Sequence, residues 1–393
     1  MSKEYQNIKN DLQVELDNIL NYWLTFGIDD QHGGFVGQRD FYNRIVPNAP
    51  KGIILNTRIL WSFSAASNYL ESKKYETVCT RAYDYLKTHF KDTVNEGVFW
   101  EVSQLGIPNN TRKQVYAQAF AIYALSEYYI FSKRPEVKVW AVSIFENLEK
   151  HARDEQHLGY FEAFNEDWTP IVDMRLSKKD MNASKTMNTH LHVMEAYTRL
   201  LDIYDHQCIK DALRELIALF QNNFLNKSHH YDLFFDEKWN LLSSVVSFGH
   251  DIETAWLVIE AAKAIKDESL VKQVQLTAIK VIDTFLLEAI DADGAIMYEM
   301  DRTSKHLDAD RHWWPQVEAL IGLKYGYELT KNTEYVQKSK NIWEFTKRHL
   351  IDKVHGEWHF RVDAAGNPYP EEDKVSMWKA PYHTIRACIL MNQ

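Results

Sequence analysis

The chain has 393 residues, 45% hydrophobic and 25% charged, with a formal net charge of −10. That is a globular composition with enough chain for a large core, and the negative charge argues against a nucleic-acid or anionic-membrane surface. Cys79, Cys208 and Cys388 are too far apart for a metal-ligand spacing or a disulfide framework. The opening "MSKEYQNIKND" lacks the apolar core of a signal peptide, and no apolar run nears the roughly 20 residues that span a bilayer. The expectation is a protein of a reducing cytoplasm.

A helical run over 4–26 leads into "DDQHGGF", which turns at Gly34. Helical periodicity resumes over 51–72 and 74–90, then "NEGVFW" turns at Gly97. Helices over 111–133 and 135–152 precede "DEQHLGYFEAF" at Gly159. Those over 184–204 and 206–225 precede a degenerate copy, "KSHHYDLFFDEKW", near Tyr231. Helices over 247–266 and 268–289 precede "DADGAIMYE" at Gly294, and those over 311–329 and 331–349 precede "KVHGEWHF" at Gly356. A last run covers 376–391. The turns recur at intervals of about 62 to 72 residues, each a polar turn followed by alternating aromatic and polar residues.

Twelve helices with a short hairpin-like loop for every two predict six helical hairpins in one domain, 1–393. An all-α (α/α)6 barrel is preferred to an open solenoid, because the unpaired last helix can complete a pair with the first. Helices that follow a loop, such as "KQVYAQAFAIYAL", are apolar nearly all round and read as inner helices. Their partners, such as "EYVQKSKNIWEFTKRHL", are amphipathic and read as outer ones. All inner N-termini then point to one mouth, where the loops also lie.

Three inner starts align as "HVMEAY", "HDIETA" and "PQVEAL", placing Glu195, Glu253 and Glu318, with His192 and His250 three residues ahead of the first two. Asn188 shares a face with His192; the second helix adds Arg58, the tenth Trp313 and Trp314, and the last Trp378 and His383, with Pro381 marking its first turn. A metal site is disfavoured because "HEXXH" is absent and the His190 and His192 side chains diverge on a helix. Simple helix capping explains one histidine better than three converging ones. Acid–base chemistry fits: two histidines can take a proton from one face of a carbon acid and return it to the other. Arg58 can hydrogen-bond the oxyanion that develops. The 12 Trp, 21 Tyr and 19 Phe suit stacking on sugar rings as well as a core.

"ILNTR", "MNTHLHVMEAYT", "FGHDIETAWL", "WWPQVEAL" and "WKAPYHTIR" together resemble the N-acylglucosamine 2-epimerase superfamily, from about Gly52 to the C-terminus. Within it they most resemble the cellobiose 2-epimerase branch, which also covers mannobiose 2-epimerases. The resemblance implies an (α/α)6 barrel and reversible epimerisation at C2 of the reducing-end sugar of a β-1,4-linked disaccharide (cellobiose, lactose or mannobiose), through ring opening and a cis-enediolate. It implies no metal, no cofactor and a monomer, with a dimer as the alternative. His250 and His383 match the two acid/base histidines, and Arg58 and His192 match groups holding O1, O2 and the enediolate charge. Asn188 sits beside them, Glu253 matches a residue supporting the site, and Tyr116, Asp180, Trp313, Trp314 and Trp378 match substrate-binding positions. Rival readings are an N-acylglucosamine 2-epimerase, an aldose–ketose isomerase, and a glycoside hydrolase using carboxylates such as Asp180, Glu253 and Asp308. A sugar-binding solenoid without chemistry is the non-enzymatic alternative.

Overall fold

The computed structural model describes residues 3–393, and among them twelve α-helices. They are α1 (Lys3–Tyr22), α2 (Ile53–Tyr69), α3 (Glu76–Tyr85), α4 (Val115–Ser132), α5 (Pro135–His151) and α6 (Met187–Leu201). The second half supplies α7 (Gln207–Leu219), α8 (Phe248–Ala264), α9 (Glu268–Glu288), α10 (Trp313–Thr330), α11 (Glu334–His349) and α12 (Tyr382–Asn392). The even-numbered helices pack in sequence, and α12 packs back on α2, so the inner ring closes. Each odd-numbered helix from α3 to α11 lies against the inner helix before it, and α1 lies against α12. The last helix therefore does complete a pair with the first, and the open solenoid is set aside.

Burial explains the two helix classes. Every residue of α4 from Val115 to Tyr128 is buried, because an inner helix touches both the axis and the outer layer. In α11 only a stripe that includes Tyr335, Val336, Ile342, Trp343 and Phe345 is buried, as expected of a helix with one wet face. No helix among the described residues is long and apolar enough to cross a membrane.

The hairpins at the mouth are built on one plan. An aspartate opens five of the six turns, and its carboxylate binds a buried cation. The pairs are Asp29–Lys51 at 2.8 Å, Asp92–Lys113 at 2.6 Å, Asp154–Lys185 at 2.7 Å, Asp291–Arg311 at 2.6 Å and Asp352–Lys374 at 2.5 Å. Four of these cations sit two residues ahead of an inner helix. In the fourth turn the aspartate is Asn226, and the corresponding position ahead of α8 is Val246. Acid and cation are missing together, which is what the cost of an unpaired buried charge demands. There the anchor is instead His230 Nδ1 on Asp251, at 2.7 Å.

A second link joins the second, third and fifth turns to the helix that follows. Gln118 binds both backbone groups of Val98 at 2.8 Å, and Gln316 binds both of Ile296 at 2.9 Å. His190 does the same work in the third turn. Its Nε2 accepts the Tyr160 N–H at 2.9 Å, and its Nδ1 donates to the Thr186 carbonyl at 2.7 Å. Both ring nitrogens are thus engaged by backbone. The neighbouring Gly159 has φ 77°, and a Cβ there would lie 2.6 Å from His190 Nε2, so the turn requires glycine. Five short sheets, two of three strands and three of two, form among these hairpins and the segments ahead of the inner helices. In one, Val245–Ser247 pairs antiparallel with Glu299–Asp301, with Ser247 opposite Glu299.

Candidate active site

The inner helices start where expected, apart from the last. The helix expected over 376–391 begins at Tyr382, with Pro381 as its cap residue rather than in its first turn. The Lys379 N–H binds the Ser376 hydroxyl at 3.2 Å, which turns the chain before the helix. Trp378 consequently lies in the loop ahead of α12 and not on the helix itself. Its carbonyl accepts a hydrogen bond from Arg58 Nη1 at 3.1 Å, and its ring lies 5.8 Å from Tyr116.

Beneath the histidines lies a buried charge cluster. Glu195, Glu253 and Glu318 come from α6, α8 and α10 and all accept hydrogen bonds from Arg386 on α12. Tyr382 donates to Glu195 at 2.5 Å, and Trp256 Nε1 donates to Glu318 at 3.3 Å. Glu253, matched by resemblance to a residue supporting the site, is 1% exposed and bound to Arg386, so it sits under the pocket. Glu253, Glu318 and His383 also bring ligand-type atoms within 4.8 Å of one another. Arg386 already donates to both carboxylates, so its guanidinium takes the place a small cation would need.

This cluster sets the charges around it. Burial, then the Glu318 charge, raises Glu253 to about 7, against the pull of Arg386. Burial raises Glu318 as well. Burial also works to raise Glu195, but Arg386 and the His192 hydrogen bond outweigh it and hold Glu195 at about 2.

The three histidines have different Nδ1 partners. His383 Nδ1 donates to Glu318 at 2.8 Å, with Glu253 at 4.0 Å. His192 Nδ1 donates to Glu195 at 2.8 Å. His250 Nδ1 meets only the Ser247 hydroxyl, at 2.8 Å. A carboxylate can only accept, so His383 and His192 keep the Nε2 lone pair free, which is the form a general base needs. Burial, then the His192 charge, pushes His250 down to about 3. Burial, then Arg58 and Arg386, holds His383 well below the ordinary histidine range. Both rings are therefore neutral at pH 7. Trp314 spans the two, with ring centroids 4.8 Å from His250 and 5.4 Å from His383.

The remaining positions divide. Arg58 lies over Phe120 and Tyr382, donates to the Tyr116 hydroxyl at 3.0 Å, and leaves its buried Nε without a protein partner. Tyr116 lies edge-on to His192 at 4.9 Å. Asn188 also has a buried Oδ1 that no protein group satisfies. Trp313 packs on Phe360 at 4.8 Å and lies 6.3 Å from His383. Asp180 lies on the loop over 165–184, where it accepts the Ser177 N–H at 2.8 Å. The Arg175 carbonyl of that loop is tied to Arg112 and Gln114. Of the carboxylates a hydrolase would use, Glu253 is bound to the Arg386 guanidinium beneath the pocket.

Sequence reasoning did not single out Arg386, Tyr382, Phe120 or Ser247. Arg386 had a signal, since it lies one helical turn after His383 in an otherwise apolar inner helix. Tyr382 and Phe120 look like core aromatics and had none.

A family profile described as N-acylglucosamine 2-epimerase (GlcNAc 2-epimerase) matches residues 33–387. The chain is 41% identical over 384 residues to the cellobiose 2-epimerase of Bacteroides fragilis, covering 97% of this chain and 98% of that one. The solved structure of cellobiose 2-epimerase from Bacillus thermoamylovorans superposes with a TM-score of 0.94 at 34% identity, covering 98% of each chain. A D-mannose isomerase structure shares the fold with a TM-score of 0.85 at 21% identity. A ring of six inner helices with its polar starts at one mouth, matched over nearly its whole length by these relatives, places the chain in the N-acylglucosamine 2-epimerase family.

Proposed function

We propose that this chain is an isomerase, a cellobiose 2-epimerase, which reversibly inverts C2 of the reducing-end sugar in β-1,4-linked disaccharides. Cellobiose would give glucosyl-mannose; lactose and mannobiose are further substrates. The observation that carries the reading is the pair of histidines that both contact Trp314, each with its Nδ1 engaged and its Nε2 free of protein partners. The near full-length similarity to cellobiose 2-epimerases supports the choice of substrate. An aldose–ketose isomerase would share the enediolate and deliver the proton to C1 instead.

In this mechanism the disaccharide's reducing end opens to the aldehyde, so the C2 proton becomes acidic. One histidine removes that proton through Nε2, and the C–H electrons move toward C1 to form the cis-enediolate. Arg58 and His192 hold O1 and O2, with the orphaned Arg58 Nε and Asn188 Oδ1 as further polar contacts for sugar hydroxyls. The other histidine, having taken the O1 hydroxyl proton as the ring opened while water protonated the ring oxygen, returns that proton to the opposite face of C2; ring closure then moves the abstracted proton from the first histidine back to O1. Burial makes each imidazolium a strong acid, so a proton once taken is readily given up. Tyr116, Trp313, Trp314 and Trp378 supply sugar-facing surface, and Asp180 reaches in from its loop. Glu253 supports the histidines from below.

We also propose one catalytic domain over 1–393 that works without a metal or cofactor, as a monomer with a dimer as the alternative, in the cytoplasm. Three unpaired cysteines fit a reducing compartment. The decisive test is NMR of cellobiose incubated with the protein in D2O. An intact disaccharide with inverted C2 and deuterium at that carbon is expected. Free monosaccharides would mean a hydrolase, and accumulation of a ketose would mean an isomerase.

A further inference from the structure

Ser247 is the N-cap residue of α8, a place where a serine hydroxyl ordinarily accepts a backbone N–H from the first turn. At the corresponding position of α6 the Thr186 hydroxyl does so, accepting the Thr189 N–H at 3.2 Å. Ser247 makes no such cap bond. Its hydroxyl is turned instead to His250 Nδ1 at 2.8 Å, and the residue is 3% exposed, so water does not compete strongly for either partner. Its backbone is held separately, by strand pairing opposite Glu299. The side chain is thus free of any role in fixing the chain, and its one polar contact is with a histidine.

We propose that Ser247 is a positioning residue for the reaction: its hydroxyl accepts the His250 Nδ1–H and so keeps the Nε2 lone pair available to the sugar. This rests on the two-histidine reading given above. A neutral imidazole carries one proton, and the two tautomers place the lone pair on opposite sides of the ring. At His383 and His192 a carboxylate makes the choice. At His250 no carboxylate is bonded to Nδ1, and the serine hydroxyl is the group that can accept from it. Without it, neither tautomer has a protein partner at Nδ1, and the ring loses both its orientation and its preference. The chosen partner is uncharged, so it orients His250 without adding a charge that would favour the imidazolium.

The test is Ser247→Ala, which keeps the strand pairing because that uses only backbone. Two quantities are measured: the kinetics of cellobiose epimerisation, and the ¹⁵N shifts of the His250 ring in histidine-labelled resting protein, assigned by their loss in His250→Gln. The expected result is a kcat lower by roughly ten- to a hundredfold with KM within about twofold. The His250 nitrogens should move from one protonated and one free nitrogen toward an average of the two. An unchanged ¹⁵N pattern overturns the proposal whatever the rate does. So does a changed pattern with unchanged kcat. Because the ¹⁵N measurement uses no sugar, it stands even if the wild-type protein fails to epimerise cellobiose, which would overturn the substrate reading alone.

Discussion

The fourth and sixth sectors of the ring each deliver a histidine to the pocket, and they hold it in opposite ways. In the sixth, His383 is bonded to Glu318, which Arg386 pins in turn, and the turn below is anchored by Lys374 on Asp352 and Lys379 on Glu357. In the fourth, His250 rests on a hydroxyl, and the turn is anchored by His230 on Asp251, with Glu288 at 3.2 Å from the other ring nitrogen. One sector is built on permanent cations and carboxylates. The other is built on a hydroxyl and a titratable ring. The same backbone plan therefore accepts either chemistry, provided that acid and cation change together, as Asn226 and Val246 do. The sectors should then differ in how they fail.

The largest effect is expected in the sixth sector's chemistry. His383→Asn should lower epimerisation by at least about a thousandfold, some 4 kcal/mol of barrier. Deuterium uptake at C2 should fall with it, and wild-type exchange in this variant would remove His383 from the two-base scheme. Next comes that sector's frame. Lys379→Met strands Glu357, which is 4% exposed, and should destabilise the protein by about 3 kcal/mol, read by urea unfolding. A loss under 1 kcal/mol would mean that the anchor matters little.

Glu318→Gln keeps the shape of the His383 partner but lets its amide donate or accept. It should reduce kcat by roughly ten- to a hundredfold, about 1.4 to 2.8 kcal/mol, while KM changes little. No change would leave His383 oriented by packing against Trp314 alone.

The smallest expected effect is the pH response of the fourth sector. Burial works to lower the His230 pKa, but the Asp251 hydrogen bond and charge, with Glu288, outweigh it and raise it above the ordinary histidine value. Arg302 opposes them, and Asp232 is a further nearby acid. A raised histidine pKa stabilises the folded form below the unfolded value, and that contribution is lost as pH rises through the folded one. His230→Gln should therefore lower Tm at mildly acidic pH, and the deficit should shrink toward alkaline pH, by a difference on the order of 1 °C. The sixth sector behaves in the opposite sense. Despite burial, Lys374 and backbone N–H groups hold Asp352 at about 2, so its contribution is lost only as pH falls toward that value. A His230→Gln deficit that grew with pH would reverse the assignment.

Much of this was readable in the chain. Helix starts, the two helix classes and the repeated turns follow from local rules, because burial on two faces or on one leaves a different hydrophobic pattern. The end of α12 nearest the site was misplaced by six residues because apolar periodicity runs on through "WKAPYH", while Pro381 and the Ser376 turn delay the helix. His190 and His192 looked alike in "THLH", yet one clamps a turn and the other faces the pocket. Spacing could show that their side chains diverge. It could not show which nitrogen meets a backbone amide.

The sequence by itself determined that six helix pairs exist, that their polar starts share one end, and that histidines, glutamates and an arginine gather there. Those properties depend on near neighbours along the chain and on which faces are apolar. The tertiary structure alone decided who pairs with whom. Glu195, Glu253 and Glu318 lie 68 to 191 residues from Arg386, and the partner of each histidine is set by how neighbouring inner helices meet. Hydrogen bonds and buried charges are short-ranged in space and indifferent to distance along the chain, so the tautomer and charge of each site residue are properties of the closed ring.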